Sequence, residues 1–171
     1  ACLGLLSKTA GEVRIFGLDS HKDSTKIRKR TGYLPGDFGF FPDLKVKTVL
    51  KYLLSLSKVK SKDKMMELSN RLDLNLDRKV KELSKGNRQK VGLVQAFMAD
   101  QDLIILDEPT SGLDPLMQQE VYDILKEEKE RGKTVFMSSH ILAEVEEVCD
   151  RVAIIRDGKL QVVEDINSLQ T

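Results

Sequence analysis

Short runs of apolar residues with strand-type spacing predict the β-structure of the chain. These runs occupy residues 11–19, 103–106, 134–139 and, on either side of Asp157-Gly158, 151–164. In the first run, Val13 and Ile15 fall on one face, which predicts a half-buried strand. Asp-Gly between two strand patterns is typical of a tight hairpin turn, so we expect an antiparallel hairpin near the end of the sequence.

Apolar residues spaced 3.6 positions apart predict helices in the rest of the chain. Such patterns cover 44–80 as two amphipathic helices, then about 85 to 100, 117–132 and 141–149. The helix near 85 follows Ser84, a residue suited to cap a helix, and the helix of 117–132 closes at Gly132. In the helix that follows Ser84, the apolar face is formed by Val91, Val94, Phe97 and Met98. Strands that alternate with helices predict an α/β fold with a parallel sheet and an all-helical insert in the middle.

Composition narrows the functional classes only a little. The chain has 171 residues, 40% of them hydrophobic and 32% charged, which fits one globular domain. A net charge of +1 provides no basic surface bias for nucleic acid. No apolar run approaches the roughly 18 residues that would span a bilayer. Cys2 and Cys149 lie far apart and predict neither a disulfide framework nor a metal site.

Two adjacent carboxylates are the first candidates for chemistry. The apolar run 103–106 ends in Asp107 and Glu108. An acid at the end of a strand can hold Mg²⁺, while a second acid can polarise a water for attack on a phosphoryl group. Leu and Ile runs also end in acids simply because a strand must stop and a turn must begin. The pattern by itself leaves both interpretations open.

Two other segments carry candidate phosphate contacts. Ser84 and Gly86 lie at a predicted helix N-terminus, where free N–H groups and the helix dipole favour a phosphate. An ordinary serine N-cap is the alternative. His140 follows the strand pattern TVFMSS and could hydrogen-bond a terminal phosphate or an attacking water. A surface or capping histidine is the alternative at that position.

Taken in order, four segments resemble the nucleotide-binding domain of ATP-binding cassette (ABC) transporters. LSKGN at 83–87 lies where that family has its LSGGQ signature, and LIILDE at 103–108 resembles its Walker B strand. SGLD at 111–114 resembles its D-loop, and SSH at 138–140 resembles its switch-histidine loop. GEVRIFG and the RDGKL hairpin are similar to further family elements. The resemblance therefore covers nearly the whole chain.

The resemblance implies a fold, a domain division and an activity. The fold would be an α/β, P-loop NTPase-like parallel sheet core, incomplete here, with a helical subdomain inserted before the signature motif. Residues 1–41 and 91–171 would form the ATPase core and 42–90 the helical subdomain. The activity would be binding and hydrolysis of ATP with Mg²⁺ to drive transport. A non-transport ABC ATPase of DNA repair or translation, and a non-catalytic interaction module, are the alternatives.

The resemblance also implies roles for individual residues. Asp107 would hold Mg²⁺, largely through water, and Glu108 would act as the catalytic base or polarise the attacking water. His140 would contact the terminal phosphate. Ser84, Gly86 and Asn87 would contact the ATP held by the opposite subunit, and Asp114 would lie at the seam of that dimer.

Partners and location follow from the same family. The implied partners are a second ATPase domain, in a homodimer or pseudo-dimer, and a transmembrane permease subunit, with no nucleic acid. The location would be cytoplasmic, at the inner face of the cell membrane. Phe38, Phe40 and Phe41 are candidates for a groove that receives a short helix of the permease, with core packing as the alternative.

The sequence departs from the family pattern in its signature and its Q-loop. Lys85 stands where the family has a glycine, and Asn87 stands where it has Gln. In TGYLPGDFGFF, which resembles the Q-loop, the position of the family's Gln is Gly36. Asp37 follows it and is a candidate metal ligand, since Gly36 has no side chain to offer. The missing Gln resembles a branch of export-type ATPases, so we expect an exporter.

The third departure concerns the phosphate-binding loop. The motif G-x-x-x-x-G-K-[ST] is found nowhere in the 171 residues. The segment 1–13 resembles the last turn of the helix that follows that loop in the family. We therefore expect the loop to lie upstream of Ala1, and we expect the chain by itself to be inactive.

Overall fold

A three-stranded parallel sheet with helices against it forms the centre of the molecule. The computed structural model describes residues 2–36, 41–57, 59 and 62–166. The strands are β1 (Arg14–Ile15), β2 (Leu18–Asp19), β3 (Thr31–Leu34), β4 (Leu103–Asp107), β5 (Thr134–Ser138), β6 (Arg151–Arg156) and β7 (Lys159–Asp165). The helices are α1 (Ser24–Arg28), α2 (Val46–Ser55), α3 (Asp63–Arg71), α4 (Lys85–Phe97), α5 (Pro115–Glu130) and α6 (Leu142–Val148), with a 3₁₀ turn at Val80–Glu82.

The order of the parallel strands is β3-β4-β5, so β4 is central. In register, Leu106 pairs with Leu34 on one side and with Met137 on the other. Ile104 and Leu106 are almost fully buried, as the apolar run predicted. Because the strands are parallel, the residues that follow each of them meet at one edge of the sheet.

One continuous apolar core joins this sheet to helices α2, α3, α4 and α5. Its largest fully buried side chains include Leu34, Leu50, Leu68, Phe97 and Ile124. The predicted helix α4 begins at Lys85, with the Ser84 hydroxyl accepting a hydrogen bond from the Asn87 amide at 3.2 Å. Its predicted apolar face is buried. The amphipathic pattern of 44–80 is likewise confirmed as α2 and α3.

Ionic contacts hold α3 against α5. The Arg71 guanidinium donates to Glu120 at 2.6 Å and makes two parallel hydrogen bonds to Glu127 at 2.7 and 2.8 Å. Lys64 donates to the buried Glu128 at 2.8 Å. Paired guanidinium and carboxylate groups combine charge with fixed geometry. These contacts orient the helical segment relative to the sheet.

The predicted hairpin around Asp157-Gly158 is confirmed. Strands β6 and β7 pair antiparallel, and both turn residues have positive φ, 51° at Asp157 and 70° at Gly158. This matches the primed turn that favours Asp-Gly.

Two local predictions were wrong. Segment 11–19 is not one strand: β1 and β2 are two-residue strands that pair antiparallel around Phe16 and Gly17, whose φ angles are 55° and 75°. Residues 2–6 form turns and bends rather than a helical turn, and Gly4 has φ 69°. The left-handed conformation of Gly4 does not continue a right-handed helix.

Candidate functional site

The paired ends of β4 and β5 bring the first candidate residues together. Asp107 lies opposite Ser138 in the parallel register. The Ser138 hydroxyl donates to Asp107 Oδ1 at 2.6 Å and accepts from the Glu108 amide at 3.1 Å. Glu108 has φ 49°, a conformation that non-glycine residues adopt rarely and that is typical of strained functional positions. The chain thus turns sharply at Glu108, directly after the strand.

Glu108 and His140 form a direct pair across this edge of the sheet. His140 Nδ1 and Glu108 Oε2 lie 2.8 Å apart. The His140 side chain is 76% exposed and that of Glu108 33% exposed, so both are open to a ligand. The hydrogen bond to Glu108 and the charge of that carboxylate raise the pKa of His140. Such a pair can hold or pass a proton near neutral pH.

A buried amide holds the turn that carries Glu108. Gln89 on α4 is 4% exposed, and its Nε2 donates to the carbonyls of Glu108 at 2.8 Å and Pro109 at 3.0 Å. Helix α4 and the turn that follows β4 are therefore joined by side-chain hydrogen bonds. Sequence reasoning missed Gln89 and Ser138. The serine stands in the SSH motif itself, whereas nothing local distinguished the glutamine.

The predicted nucleotide-binding residues meet in a second place, a cleft of about 520 Å³. Its walls include Ser84, Gly86, Asn87 and Asp114, together with Lys90, which is 8% exposed. Ser84 caps α4 and Asp114 caps α5, whose Met117 amide donates to the Asp114 carboxylate at 3.1 Å. Two helix N-termini thus border one cleft. Asp107, Glu108 and His140 are not among the described residues that line it.

Close backbone packing joins the signature turn to the D-loop segment. A Cβ atom at Gly86 would lie 2.5 Å from the carbonyl oxygen of Gly112, closer than real Cβ contacts. Only glycine fits there without moving backbone. The glycine retained in LSKGN therefore has a steric reason within this chain, in addition to the phosphate contact that the family resemblance implies.

The loop after β3 comes close to Asp107. A Cβ atom at Gly36 would lie 3.0 Å from Asp107 Oδ2. The residue at the position of the family's Gln is therefore next to the candidate metal ligand. Asp37, the other predicted ligand, lies outside the described residues, as do Phe38 and Phe40.

Among the described residues, Asp107 offers carboxylate oxygens of the kind that Mg²⁺ accepts. No group of three or more His, Cys, Asp or Glu side chains there could enclose an ion. Asp107 is exposed and uses one oxygen, Oδ1, for the Ser138 hydroxyl. Mg²⁺ is commonly held by one or two carboxylates with water and substrate phosphates as its other ligands. Asp107 fits that donor set.

Comparison with known proteins identifies the family. Residues 1–111 match the family model described as ABC transporter. The chain belongs to the ABC transporter family. It is 36% identical over 165 residues to an uncharacterized ABC transporter ATP-binding protein of Synechocystis, covering 92% of this chain and 46% of that protein. It is 35% identical over 162 residues to the bacitracin transport ATP-binding protein BcrA of Bacillus licheniformis, covering 92% of this chain and 53% of that protein.

Solved ABC structures share the fold. The structure of an ATP-binding subunit of an ABC transporter superposes with a TM-score of 0.89 at 26% identity, covering 99% of this chain and 72% of that one. The ATP-binding cassette MJ0796, in a dimeric structure bound to ADP and Pi, superposes with a TM-score of 0.83 at 23% identity, covering 96% and 77%. The predicted α/β, P-loop NTPase-like class is confirmed.

The comparisons also define the extent of the match. The chain spans about half the length of the curated relatives named above. Among the described residues, no helix has the length and apolar character needed to cross a membrane.

Proposed function

We propose that the full-length protein containing this chain is the ATP-binding and ATP-hydrolysing subunit of an ABC-type transporter. The observation that carries the proposal is the contact between Glu108 and His140, 2.8 Å apart and open to solvent beside Asp107. A base, a proton-carrying partner and a metal-ligating acid at one sheet edge suit phosphoryl transfer to water. The proposal concerns the protein in which this chain acts together with a phosphate-binding loop.

In this proposal, Glu108 accepts a hydrogen bond from the attacking water and orients it toward the terminal phosphate of ATP. His140 contacts that phosphate and, through Nδ1, keeps the Glu108 carboxylate in place. Asp107 holds Mg²⁺, which when bound neutralises charge on the phosphates. Ser138 orients Asp107 through its 2.6 Å hydrogen bond.

We further propose that two such domains act as a pair. Ser84, Gly86, Asn87 and Asp114 border a cleft whose described lining residues exclude Glu108 and His140. One domain that carries both the Glu108–His140 dyad and a separate cleft suits a head-to-tail homodimer or pseudo-dimer. In such a dimer, each ATP is contacted by the dyad of one domain and by the cleft of the other. Helix N-termini at the cleft favour bound phosphate.

A transmembrane permease is the proposed partner on a third surface. Phe41 is 41% exposed and packs edge-on against Tyr52, itself 51% exposed, with ring centroids 5.7 Å apart. Exposed aromatic side chains are typical anchors at protein interfaces and favour docking over core packing for Phe41. Such docking would place the protein at the inner face of the cell membrane. Gly36 in place of the Q-loop Gln, and the relative named for bacitracin transport, support an exporter.

The Glu108→Gln substitution in the full-length protein tests the proposed function. Removing the base raises the free energy of the transition state but not that of the bound ground state. We therefore expect kcat to fall at least about a hundredfold while ATP binding persists. The ATP-bound dimer should accumulate and be detectable by light scattering. Glu130→Gln, an exposed acid at the end of α5, is the control. Wild-type turnover in the Glu108 variant would overturn the assignment.

A further inference from the structure

A buried carboxylate lies behind the Glu108–His140 pair and is outside both segments, LIILDE and SSH, that carry this pair. Glu144 on α6 is 3% exposed. One of its oxygens, Oε1, accepts a hydrogen bond from the Thr110 hydroxyl. The other, Oε2, accepts from the Ser139 hydroxyl at 2.7 Å. Each oxygen of one carboxylate therefore binds a different segment of the chain.

Those two segments carry the two members of the proposed dyad. Thr110, 3% exposed, follows Glu108 by two residues, and Ser139 directly precedes His140. The contacts close a ring that runs from Glu108 to Thr110, Glu144, Ser139 and His140 and returns to Glu108. Moving either hydroxyl away from Glu144 would change the separation of the dyad.

We propose that Glu144 is a positioning residue, which sets the distance between Glu108 and His140 by holding both turns on one buried carboxylate. The inference rests on the proposed ATPase function, since it assigns a role within that site. Glu144 itself does not contact the nucleotide in this assignment. It acts through the two hydroxyls, as supporting residues do in other preorganised sites.

The contacts suit a group that accepts hydrogen bonds at both of its oxygens. Two hydroxyls each donate a proton, and an ionised Glu is an acceptor at both oxygens, whereas Gln offers one acceptor oxygen and a donating amide. The Ser139 hydroxyl also accepts from the Ile141 amide at 3.0 Å. Its other possible acceptor, the Ile141 carbonyl, lies farther away at 3.4 Å than Glu144 Oε2 at 2.7 Å. Burial, together with the charge of Glu144 and a hydrogen bond to it, raises the pKa of Tyr122 to about 12.

The charge on Glu144 is also unfavourable for folding alone. Among the described residues, no Lys, Arg or His makes an ion pair with it. A buried charge without a cation costs free energy that a well-packed apolar side chain would avoid. Glu144 lies between the two turns and binds both of them. We therefore attribute its burial to a role in the site and not to a gain in stability.

The test uses Glu144→Gln in the full-length protein, with Glu146→Gln, an exposed acid on the same helix, as control. We expect kcat for ATP hydrolysis to fall about 10- to 100-fold, the size of effect expected from small misplacement of catalytic groups, with KM for MgATP little changed. Because the charge of Glu144 also raises the pKa of His140 directly, the NMR titration of His140 is made in Ser139→Ala, which keeps that charge, and we expect the pKa of His140 to fall toward its ordinary value there. The control should match wild type in both. If kcat is unchanged in Glu144→Gln, or if the His140 pKa is unchanged in Ser139→Ala, the proposal is overturned.

A second pair of variants decides the matter if Glu144→Gln does not fold. Ser139→Ala removes one tie at a partly exposed position, and Thr110→Val removes the other. Each should lower kcat, and the double variant should lose less than the product of the two single effects, because both act through Glu144. Fully multiplicative losses would overturn the proposal. If wild type shows no Glu108-dependent hydrolysis, the proposed function fails, and the His140 titration in Ser139→Ala, which keeps the Glu144 charge, still decides whether Glu144 positions the pair.

Discussion

The Glu108 carboxylate and the His140 imidazole lie 2.8 Å apart although 32 positions separate them in the sequence. The parallel register of β4 and β5, in which Asp107 lies opposite Ser138, produces this contact. The next residues of both strands therefore leave the sheet side by side. A proton acceptor and a proton carrier are thus placed together by strand pairing and not by a local motif.

This contact makes a prediction about pH. Glu108 raises the pKa of His140 above the usual value of about 6.5, so protonated imidazole persists to higher pH in the folded protein. The stabilising contribution of the pair is fully present below that usual value and is lost as pH rises through the raised folded pKa. In Glu108→Gln, an NMR titration of His140 should show its pKa return toward the usual value. Glu130→Gln, which changes an exposed acid at the end of α5, is the control and should leave the His140 titration as in wild type. A His140 titration curve identical in both proteins would contradict the pairing.

Arg71 is predicted to stabilise the attachment of α3 to α5. Its side chain is 23% exposed and makes the paired hydrogen bonds to Glu127. Arg71→Met should lower the free energy of unfolding by about 1–3 kcal/mol, measured by urea denaturation, because two carboxylates lose a charged donor. Arg71 lowers the pKa of Glu127, so this contribution is present above the ordinary carboxyl pKa and is lost as pH falls through the lowered value.

The matched control for Arg71 is an exposed ion pair. Lys45 and Asp77 lie 3.5 Å apart with side chains 58% and 77% exposed. Lys45→Met should change stability by less than about 1 kcal/mol, as is usual for surface pairs. Equal losses in both variants would mean that the fixed geometry around Arg71 adds nothing.

Gly36 is predicted to be a position at which a side chain interferes with Asp107. A Cβ atom there would lie 3.0 Å from Asp107 Oδ2, so Gly36→Ala should displace that carboxylate or the loop. In the full-length protein, we expect a higher Mg²⁺ concentration for half-maximal ATPase activity. Gly36→Gln should lower activity further instead of restoring the family's Gln function. Unchanged Mg²⁺ dependence in both variants would show that the loop yields freely.

Asp37 gives an independent prediction at the same loop. If this acid substitutes for the missing Gln at the metal, Asp37→Ala in the full-length protein should weaken Mg²⁺ dependence, since a carboxylate oxygen is a hard ligand that Mg²⁺ accepts readily. If it acts in coupling, ATPase activity should persist while transport in vesicles falls. An unchanged profile in both assays would assign Asp37 no part in either step.

The 171-residue chain by itself is predicted to show no ATPase activity above background and to bind MgATP with a Kd of about 1 mM or weaker, because the phosphate-binding loop supplies most of the positioning in this chemistry. Exposed Phe136 on the edge strand β5 and Ile155 on β6 should also promote self-association, visible by size-exclusion chromatography. Calorimetric titration and a phosphate-release assay measure binding and activity. Micromolar affinity, or turnover that Glu108→Gln abolishes, would reveal a phosphate site within these residues.

Elements with strong local signals were predictable. Ser84 before an amphipathic pattern predicted where α4 begins, and Asp157-Gly158 predicted the β6–β7 turn. The short strand β3 and helix α1 were not predicted, because TGYL and STKIR contain too few apolar residues to show a run or a period. The segment 11–19 was read as one strand because alternation alone does not show that the chain reverses at Phe16 and Gly17.

The sequence by itself determined which residues could do chemistry: the acids after 103–106, the serine and glycine of LSKGN, and the histidine after TVFMSS. Only the tertiary structure decided which of them meet. It placed Glu108 against His140 and separated both from the cleft that Ser84 lines. It also placed Gln89 against the turn after β4 and Glu144 against the turn after β5. The physical reason is range. Caps, turns and periodicity depend on neighbours a few positions away, whereas contacts between residues 19 to 34 positions apart depend on strand register and helix packing, which no short segment encodes.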